Sequence, residues 1–331
     1  MMKKVTARNG RAELVTAEIP LLKEGYILIK TQFSAISAGT EKTIIQISKE
    51  NPIDLGYSAM GVVTESIAPG FEPGDRVACY GAPYVGHREW LSVPATLCAK
   101  VPDNVSSEAA SLCGIGAIAI HALRTASLQF GETVAVVGLG PLGRLIAQIA
   151  DAASYHVIGC DLSRKRADSL RELGIIAETG LEEVESSIMS ETGGNGADAV
   201  LLCTGGKKTS LTGESIQWVR DKGKVVIVGD VEPDFPRSVM FRKEAQILIS
   251  RAGGPGRYDP VYEKEAVDYP YGYVRWTEGR NIAEFLRLVS VGKIDVSAFH
   301  QEKRKLNETA EAFQDIFNPE DALTYIIDYR A

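Results

Sequence analysis

The pattern of apolar and polar positions changes once along the chain, near residue 109. Before that point, short apolar runs separated by turn residues predict strands over 26–30, 61–63, 76–80 and 89–93. After it, apolar strands alternate with glycine turns and helical periods, and strands are predicted over 134–137, 157–160, 199–203, 224–228 and 247–250. Parallel neighbours need crossover connections, so this alternation predicts a parallel sheet covered by helices on both faces.

The last part of the chain follows a cluster of glycine and proline at residues 251–257. Its pattern predicts helices over 281–290 and 308–317 and a final strand over 323–329. The resulting fold class is α/β.

The expected division has three parts. A β-rich unit covers residues 1–110, a doubly wound nucleotide-binding unit covers 111–251, and a return segment over 252–331 completes the first unit.

A glycine-rich turn follows the first strand of the parallel region and opens a helical pattern. Its residues are Gly138, Leu139, Gly140, Pro141, Leu142 and Gly143. In this spacing the first glycine allows a tight turn, the second lets the backbone approach a pyrophosphate, and the third lets helix and strand pack closely. The pattern predicts that the helix N-terminus binds the phosphates of a dinucleotide.

The next predicted strand ends in Asp161, 18 residues after Gly143 and close to the spacing of about 20 at which an acidic side chain binds the ribose. Its carboxylate can accept from a 2′-hydroxyl and would repel a 2′-phosphate, which favours NAD over NADP. Arg164, Lys165 and Arg166 follow at once and could instead neutralise a phosphate, or form a solvated first turn of helix.

Two further strands of the parallel region end in small or polar residues. These are Cys203 and Thr204 after one strand, and Gly229 and Asp230 after the next. Open α/β sheets bind ligands at the carboxyl ends of their strands, so we expect these residues to line the adenosine and the nicotinamide ribose.

Composition narrows the class of protein. Of 331 residues, 45% are hydrophobic and 24% charged, which is typical of a globular protein. The net charge of −7 without a basic stripe argues against nucleic acid or anionic lipid as a partner. Five cysteines without a framework spacing suit reduced thiols. With neither a membrane span nor a secretory signal predicted, we expect a cytoplasmic protein.

Three local motifs resemble the medium-chain dehydrogenase/reductase superfamily. Zinc alcohol dehydrogenases of that superfamily carry Cys-Gly-Thr-Asp where this chain has Ala38-Gly39-Thr40-Glu41, and Pro-Gly-His-Glu where it has Leu55-Gly56-Tyr57-Ser58. A turn of their GroES-like domain is similar to residues 72–77. With the mid-chain glycine turn, the resemblance covers essentially the whole chain and implies a GroES-like β-rich catalytic domain plus a Rossmann domain.

Other segments resemble a zinc-lacking subgroup of this superfamily. They are residues 37–41, 86–90, 254–260 and 272–278. The subgroup includes the dehydrogenase of a hydroxyethyl bacteriochlorophyllide and the N-terminal half of two-domain oxidoreductases linked to polysaccharide genes. Superfamily members pair sheet edges across a two-fold, which implies a homodimer through the strand over 247–250.

The resemblance places the catalytic zinc ligands of the family at Ala38, Tyr57 and Cys113. A catalytic zinc needs three protein ligands. Ala38 has no ligand atom, and the phenol of Tyr57 ordinarily titrates near pH 10. We therefore predict an enzyme without zinc, in which Cys113 is a small buried apolar side chain.

Without a metal, another group must bind the reacting oxygen and move a proton. The hypothesis is that Tyr57 donates a hydrogen bond to that oxygen and that Thr40 and Glu41 complete a proton relay. Glu41 could instead anchor structure, and Tyr57 could merely line the pocket. His87 is a candidate acid/base group or a hydrogen-bonded structural histidine.

Aromatic and cationic side chains follow the nucleotide-binding region. Tyr258, Tyr273, Arg275 and Trp276 could bind a flat or carboxylated substrate, or could pack the return segment onto the first unit.

The predicted function is zinc-independent, NAD(H)-dependent hydride transfer between nicotinamide and a small-molecule secondary alcohol or ketone. One alternative is a reductase of an activated C=C or C=N bond, which needs no alkoxide stabiliser. Another is a non-catalytic dinucleotide-binding sensor or scaffold.

Overall fold

The chain folds into two compact units. The computed structural model describes residues 1–205, 210–299, 302–310, 313 and 323–330. The first unit is Met1–Ala117 together with Gly253–Ala331, and the second is Ile118–Ala252. The first unit continues past the expected boundary at residue 110 because the backbone N–H of Gly114 donates to Ser58 Oγ at 2.8 Å.

The first unit begins with a β-rich part. Its strands are β1 (Met2–Arg8), β2 (Arg11–Ala17), β3 (Tyr26–Ala35), β4 (Ile53–Asp54), β5 (Ser58–Ser66), β6 (Arg76–Tyr80), β7 (Trp90–Pro94) and β8 (Cys98–Lys100). Its helices are α1 (Ala38–Ile47), α2 (Ser107–Ala110) and the start of α3 (Cys113–Ala126).

The second unit alternates strands and helices. Its strands are β9 (Thr133–Val137), β10 (His156–Cys160), β11 (Ile176–Glu178), β12 (Ala197–Leu202), β13 (Val219–Ile227) and β14 (Gln246–Ile249). Its helices are α4 (Pro141–Ala152), α5 (Arg164–Arg171), α6 (Leu181–Glu191), α7 (Leu211–Trp218) and α8 (Arg237–Lys243).

The chain then returns to the first unit. The returning elements are α9 (Pro260–Glu263), α10 (Glu278–Ser290), β15 (Glu302–Lys305) and β16 (Tyr325–Asp328). Strand β16 pairs antiparallel with β3, so the tail extends the larger sheet of the first unit. The helix predicted over 308–317 lies mostly outside the described residues.

The larger sheet of the first unit has the order β15-β16-β3-β5-β6-β8, with β7 paired to β3. A smaller sheet has the order β2-β1-β4. Strands β1 and β2 are absent from the sequence prediction. They pair along their whole length, from Met2 opposite Ala17 to Arg8 opposite Arg11, so cross-strand contacts stabilise a ribbon whose own pattern is weak.

The sheet of the second unit is parallel throughout and has the order β11-β10-β9-β12-β13-β14. Counted from β9, this is the 3-2-1-4-5-6 order of the dinucleotide-binding fold. The predicted Rossmann architecture is confirmed. The strand order reverses between β9 and β12, and ligands of open α/β sheets bind at the carboxyl ends of strands at such a point.

Strand β14 lies at the edge of this sheet, with Ile249 73% exposed. Its pairing across a two-fold stays a prediction. Among the described residues, no helix combines the length and apolarity that crossing a bilayer requires.

Candidate functional site

The glycine turn between β9 and α4 needs glycine for two different reasons. Gly138 has φ +92°, which side-chain-bearing residues rarely adopt. A Cβ on Gly143 would lie 1.8 Å from the carbonyl oxygen of Gly138, so helix and turn could not approach. A Cβ on Gly140 would meet no atom within 4 Å, which leaves open space at the N-terminus of α4. An anion fits this position, because backbone N–H groups and the helix dipole favour negative charge there.

Asp161 follows β10 and connects two loops. Its Oδ2 accepts from the backbone N–H of Leu139 at 2.7 Å, and its Oδ1 accepts from that of Ser163 at 2.8 Å. A carboxylate offers about four acceptor positions, so capacity remains for ribose hydroxyls. Arg166 Nη1 lies 3.5 Å from Oδ2, so this cation is paired with Asp161.

The other predicted cofactor residues lie beside the glycine turn. A Cβ on Gly138 would be 3.0 Å from the backbone nitrogen of Thr204 and 3.1 Å from the carbonyl carbon of Cys203. A Cβ on Gly229 would be 2.1 Å from the oxygen of Thr204, and Gly205 lies near Asp230. The carboxyl ends of β9, β12 and β13 therefore meet with little side-chain volume between them. The residues present fit a dinucleotide.

In the first unit, the structure brings Tyr57 together with α1. The phenol is hydrogen-bonded to the side chains of Ser37 and Thr40. Burial raises the pKa of Tyr57 to about 12. The charge of Glu41 also raises this pKa, whereas the hydrogen bonds to Ser37 and Thr40 lower it. Tyr57 is therefore a neutral phenol at physiological pH, with Thr40 exposed to solvent beside it.

A buried hydrogen-bonded chain continues from Glu41. Its Oε1 accepts from the backbone N–H of Ser37 at 2.7 Å, and its Oε2 lies 2.9 Å from His87 Nε2. His87 Nδ1 lies 2.7 Å from Ser34 Oγ, which lies 2.8 Å from the Tyr329 hydroxyl. Glu41 and His87 are almost fully buried. Both therefore act through other residues, and His87 has no free ring nitrogen for a substrate.

We expect Glu41→Gln to lower the free energy of unfolding by about 1–3 kcal/mol, because glutamine has one acceptor oxygen where the carboxylate uses two, one for Ser37 N–H and one for His87. Urea unfolding at neutral pH measures the change. Glu50→Gln is the matched control, since Glu50 is exposed shortly after α1. Equal midpoints for the two variants would contradict a structural role for the buried pair.

The three family zinc positions do not form a zinc site. Ala38 has no ligand atom, and Tyr57 is held neutral. The Cys113 thiol donates to the carbonyl oxygen of Cys79 at 3.2 Å, and burial raises its pKa to about 12. A zinc ligand must be the thiolate. Within the part of the chain that the structure describes, no three His, Cys, Asp or Glu side chains are placed to hold a metal ion.

Two of the predicted substrate residues of the return segment, Arg275 and Trp276, stack on each other. Arg275 lies over the ring of Trp276 at 3.7 Å and over that of Tyr271 at 4.5 Å, so it is engaged in stacking. Tyr273 is 91% exposed. Tyr258 is half-exposed under the guanidinium of Arg257, and it interacts electrostatically with Tyr80.

Sequence reasoning missed two residues near Tyr57. The ring of Tyr80, at the end of β6, packs edge-on against that of Tyr57 with 5.7 Å between centroids. Glu278, the first residue of α10, is fully buried, and its charge acts on Tyr80. An acidic residue in a first helical turn is common, so the pattern alone does not single out Glu278.

Comparison with known proteins supports the same architecture. The signature of the zinc-binding dehydrogenase family matches residues 141–266, a range without any of the three zinc positions. An alcohol dehydrogenase of Geobacillus stearothermophilus is 28% identical over 263 residues, 68% of this chain and 75% of that protein. D-xylulose reductase of Saccharomyces cerevisiae is 24% identical over 356 residues, 94% and 92% of the two chains.

The crystal structure of 2R,3R-butanediol dehydrogenase from Bacillus subtilis superposes with a TM-score of 0.80 at 21% identity, covering 100% of both chains. At this identity, the similarity is evidence for a shared fold only. The shared fold extends over the whole length of both chains. Taken with the family signature, the matched dehydrogenases and the glycine turn, it leads to one assignment. The protein is an oxidoreductase whose sequence and fold are similar to those of the medium-chain dehydrogenase/reductase superfamily.

Proposed function

We propose that this oxidoreductase transfers hydride between NAD(H) and a secondary alcohol or ketone without zinc, with Tyr57 as the proton donor. The observation that carries the proposal is the neutral phenol of Tyr57, held by Ser37 and Thr40 where zinc-dependent relatives have a ligand. The relatives' names, alcohol dehydrogenase and D-xylulose reductase, support an alcohol or a ketose as substrate.

The second unit supplies the cofactor site. The open position at Gly140 and the N-terminus of α4 suit the pyrophosphate, and Asp161 suits the ribose. The nicotinamide, when bound, supplies or accepts the hydride.

The first unit supplies the proton. During ketone reduction, negative charge develops on the carbonyl oxygen, and the Tyr57 hydroxyl donates first a hydrogen bond and then its proton to that oxygen. Thr40 is solvent-exposed and hydrogen-bonded to Tyr57, so it can return a proton from water. The Glu41 carboxylate opposes formation of phenolate and holds the N-terminus of α1 through Ser37. Glu41 and His87 are positioning residues in this scheme.

Cofactor titration and metal analysis test the proposal. We expect NADH to bind stoichiometrically, ketones to be reduced, and activity to survive chelators in protein without zinc. Uptake of neither NADH nor NADPH would contradict the cofactor role, and stoichiometric zinc lost together with activity would contradict the metal-free mechanism. Reduction of enones but of no ketone would favour the C=C reductase alternative.

We expect Asp161→Asn to shift the ratio of kcat/KM for NADPH over NADH by about tenfold toward NADPH. The change removes a charge that repels a 2′-phosphate, and it frees Arg166 from its ion pair. A tenfold shift in the ratio corresponds to about 1.4 kcal/mol, the size of one lost interaction of this kind. Steady-state kinetics with both cofactors measure the ratio. Asp168→Asn on α5 is the control, because Asp168 pairs with Arg171 at the surface. An unchanged ratio in Asp161→Asn argues against ribose recognition by this residue.

A further inference from the structure

The segment between α9 and α10 presents aromatic side chains to solvent. The Tyr271 side chain is 57% exposed and the Tyr273 side chain is 91% exposed. Residues 264–277 form neither helix nor strand. Exposed rings on a loop contribute little to a hydrophobic core, and they are typical of binding surfaces.

Arg275 lies in a stack of side chains within this segment. Its guanidinium is 3.7 Å from the ring centroid of Trp276 and 4.5 Å from that of Tyr271. The guanidinium of Arg280 lies over the Tyr271 ring as well, at 4.9 Å. Contact with two rings restricts the Arg275 guanidinium, so little side-chain freedom is lost when its N–H groups bind a ligand.

The two arginines of the stack differ in their hydrogen-bond partners. Arg280 donates to Asp268 Oδ2 at 2.6 Å and to the carbonyl oxygen of Tyr269 at 2.9 Å. The Arg275 guanidinium is exposed, and it has neither an ion pair nor a hydrogen bond with any residue that the structure describes. Its five N–H donors are therefore available to a ligand.

The charge and the shape of this group favour a planar anion. Arg280 already neutralises Asp268, the acid that lies nearest to the stack in an ion pair. The planar fork of a guanidinium matches a carboxylate, which accepts two parallel N–H···O bonds from it. The exposed ring of Tyr271 offers a surface on which a planar group can stack.

We propose that Arg275, together with the rings of Tyr271 and Trp276, binds the carboxylate of a planar organic acid. The carboxylate accepts hydrogen bonds from the guanidinium, and the planar part of the ligand packs against the exposed tyrosine ring. The inference goes beyond the proposed function and is independent of it, because it involves neither Tyr57 nor a dinucleotide.

The test follows the indole N–H resonances of the three tryptophans by NMR. Trp276 belongs to the proposed site, Trp90 lies under Lys30 in the first unit, and Trp218 is buried in the second unit. The loss of one resonance in Trp276→Phe assigns the reporter.

Three compounds of similar size are titrated at constant ionic strength with NADH present. They are benzoate, its neutral planar analogue benzamide, and the non-planar cyclohexanecarboxylate. We expect benzoate to shift the Trp276 resonance with a dissociation constant in the millimolar range, as is usual for so small a ligand. The other two compounds should bind more weakly, since each lacks one of the two features that the site recognises.

Arg275→Gln should weaken benzoate binding at least tenfold, because it removes a charge-assisted hydrogen-bonding pair, and it should leave benzamide binding unchanged. Arg275→Lys keeps the charge without the planar fork and should have a smaller effect. Arg287→Gln is the matched control, because Arg287 is an exposed arginine of α10 that pairs with Glu284. Unshifted Trp90 and Trp218 resonances verify that each variant is folded.

Three results would overturn the inference. They are a Trp276 resonance that benzoate does not shift, equal affinities for benzoate and benzamide, and an unchanged affinity for benzoate in Arg275→Gln. A shift of the Trp218 resonance instead of the Trp276 resonance would place the acid in the second unit and would also overturn it. None of these measurements uses catalysis, so the inference and the proposed function can fail separately.

Discussion

A Glu278→Gln variant should gain about 5 kcal/mol of stability relative to the unsubstituted protein as the pH rises from 4.5 to 8. Burial raises the pKa of Glu278 to about 8 in the folded protein, from the ordinary glutamate value of 4.5. The folded state therefore keeps a proton that the unfolded chain releases. Stability from this group is fully present below pH 4.5 and is lost as the pH rises to 8, whereas glutamine does not titrate.

Urea unfolding of both proteins at several pH values from 5.5 to 8 measures the difference, and comparing the two cancels the titration of every shared group. The expected slope is about 1.4 kcal/mol per pH unit over most of this range. Glu284→Gln should run parallel to the unsubstituted protein, because Glu284 is paired near the surface with Arg287. A Glu278→Gln curve that also runs parallel would show that the buried carboxyl is already ionised.

Tyr57→Phe should lower kcat by about 10²–10⁴-fold, the usual contribution of a positioned proton donor. This corresponds to about 3–5 kcal/mol in the activation barrier. Phenylalanine keeps the ring that packs against Tyr80 and removes only the hydroxyl that Ser37 and Thr40 hold. The dissociation constant for NADH should stay unchanged, since the glycine turn belongs to the second unit.

Single-turnover ketone reduction and NADH titration together measure the two quantities. Tyr84→Phe is the matched control, because Tyr84 is a phenol of the same unit that packs against Tyr26. Near-normal turnover in Tyr57→Phe, with the control equally active, would remove Tyr57 from the mechanism. A loss of NADH affinity as large as the loss of turnover would point to misfolding.

The dinucleotide-binding half was readable from local pattern because local backbone geometry determines it. The turn at Gly138 requires a positive φ, and close packing excludes a side chain at Gly143. Both requirements concern residues that are a few positions apart in the chain, so a local pattern reports them. The strands around the turn are buried on both faces and appear as continuous apolar runs.

The catalytic half was readable only in part. Helix α1 was not predicted, because glycine and β-branched residues give Ala38–Ile47 little helical preference. It forms because Ile45 is buried and because Glu41 binds both Ser37 N–H and His87. The second of these contacts joins residues 46 positions apart, which no local pattern reports.

The sequence by itself determined the α/β class and the glycine turn with its acidic partner at Asp161. Only the tertiary structure decided that His87 is enclosed between Glu41 and Ser34, and that the buried Glu278 carboxyl has no hydrogen-bond partner among the residues that the structure describes. The physical reason is that periodicity and spacing follow from local sterics. The protonation state and the free hydrogen-bonding capacity of a side chain depend on burial by residues distant in the chain.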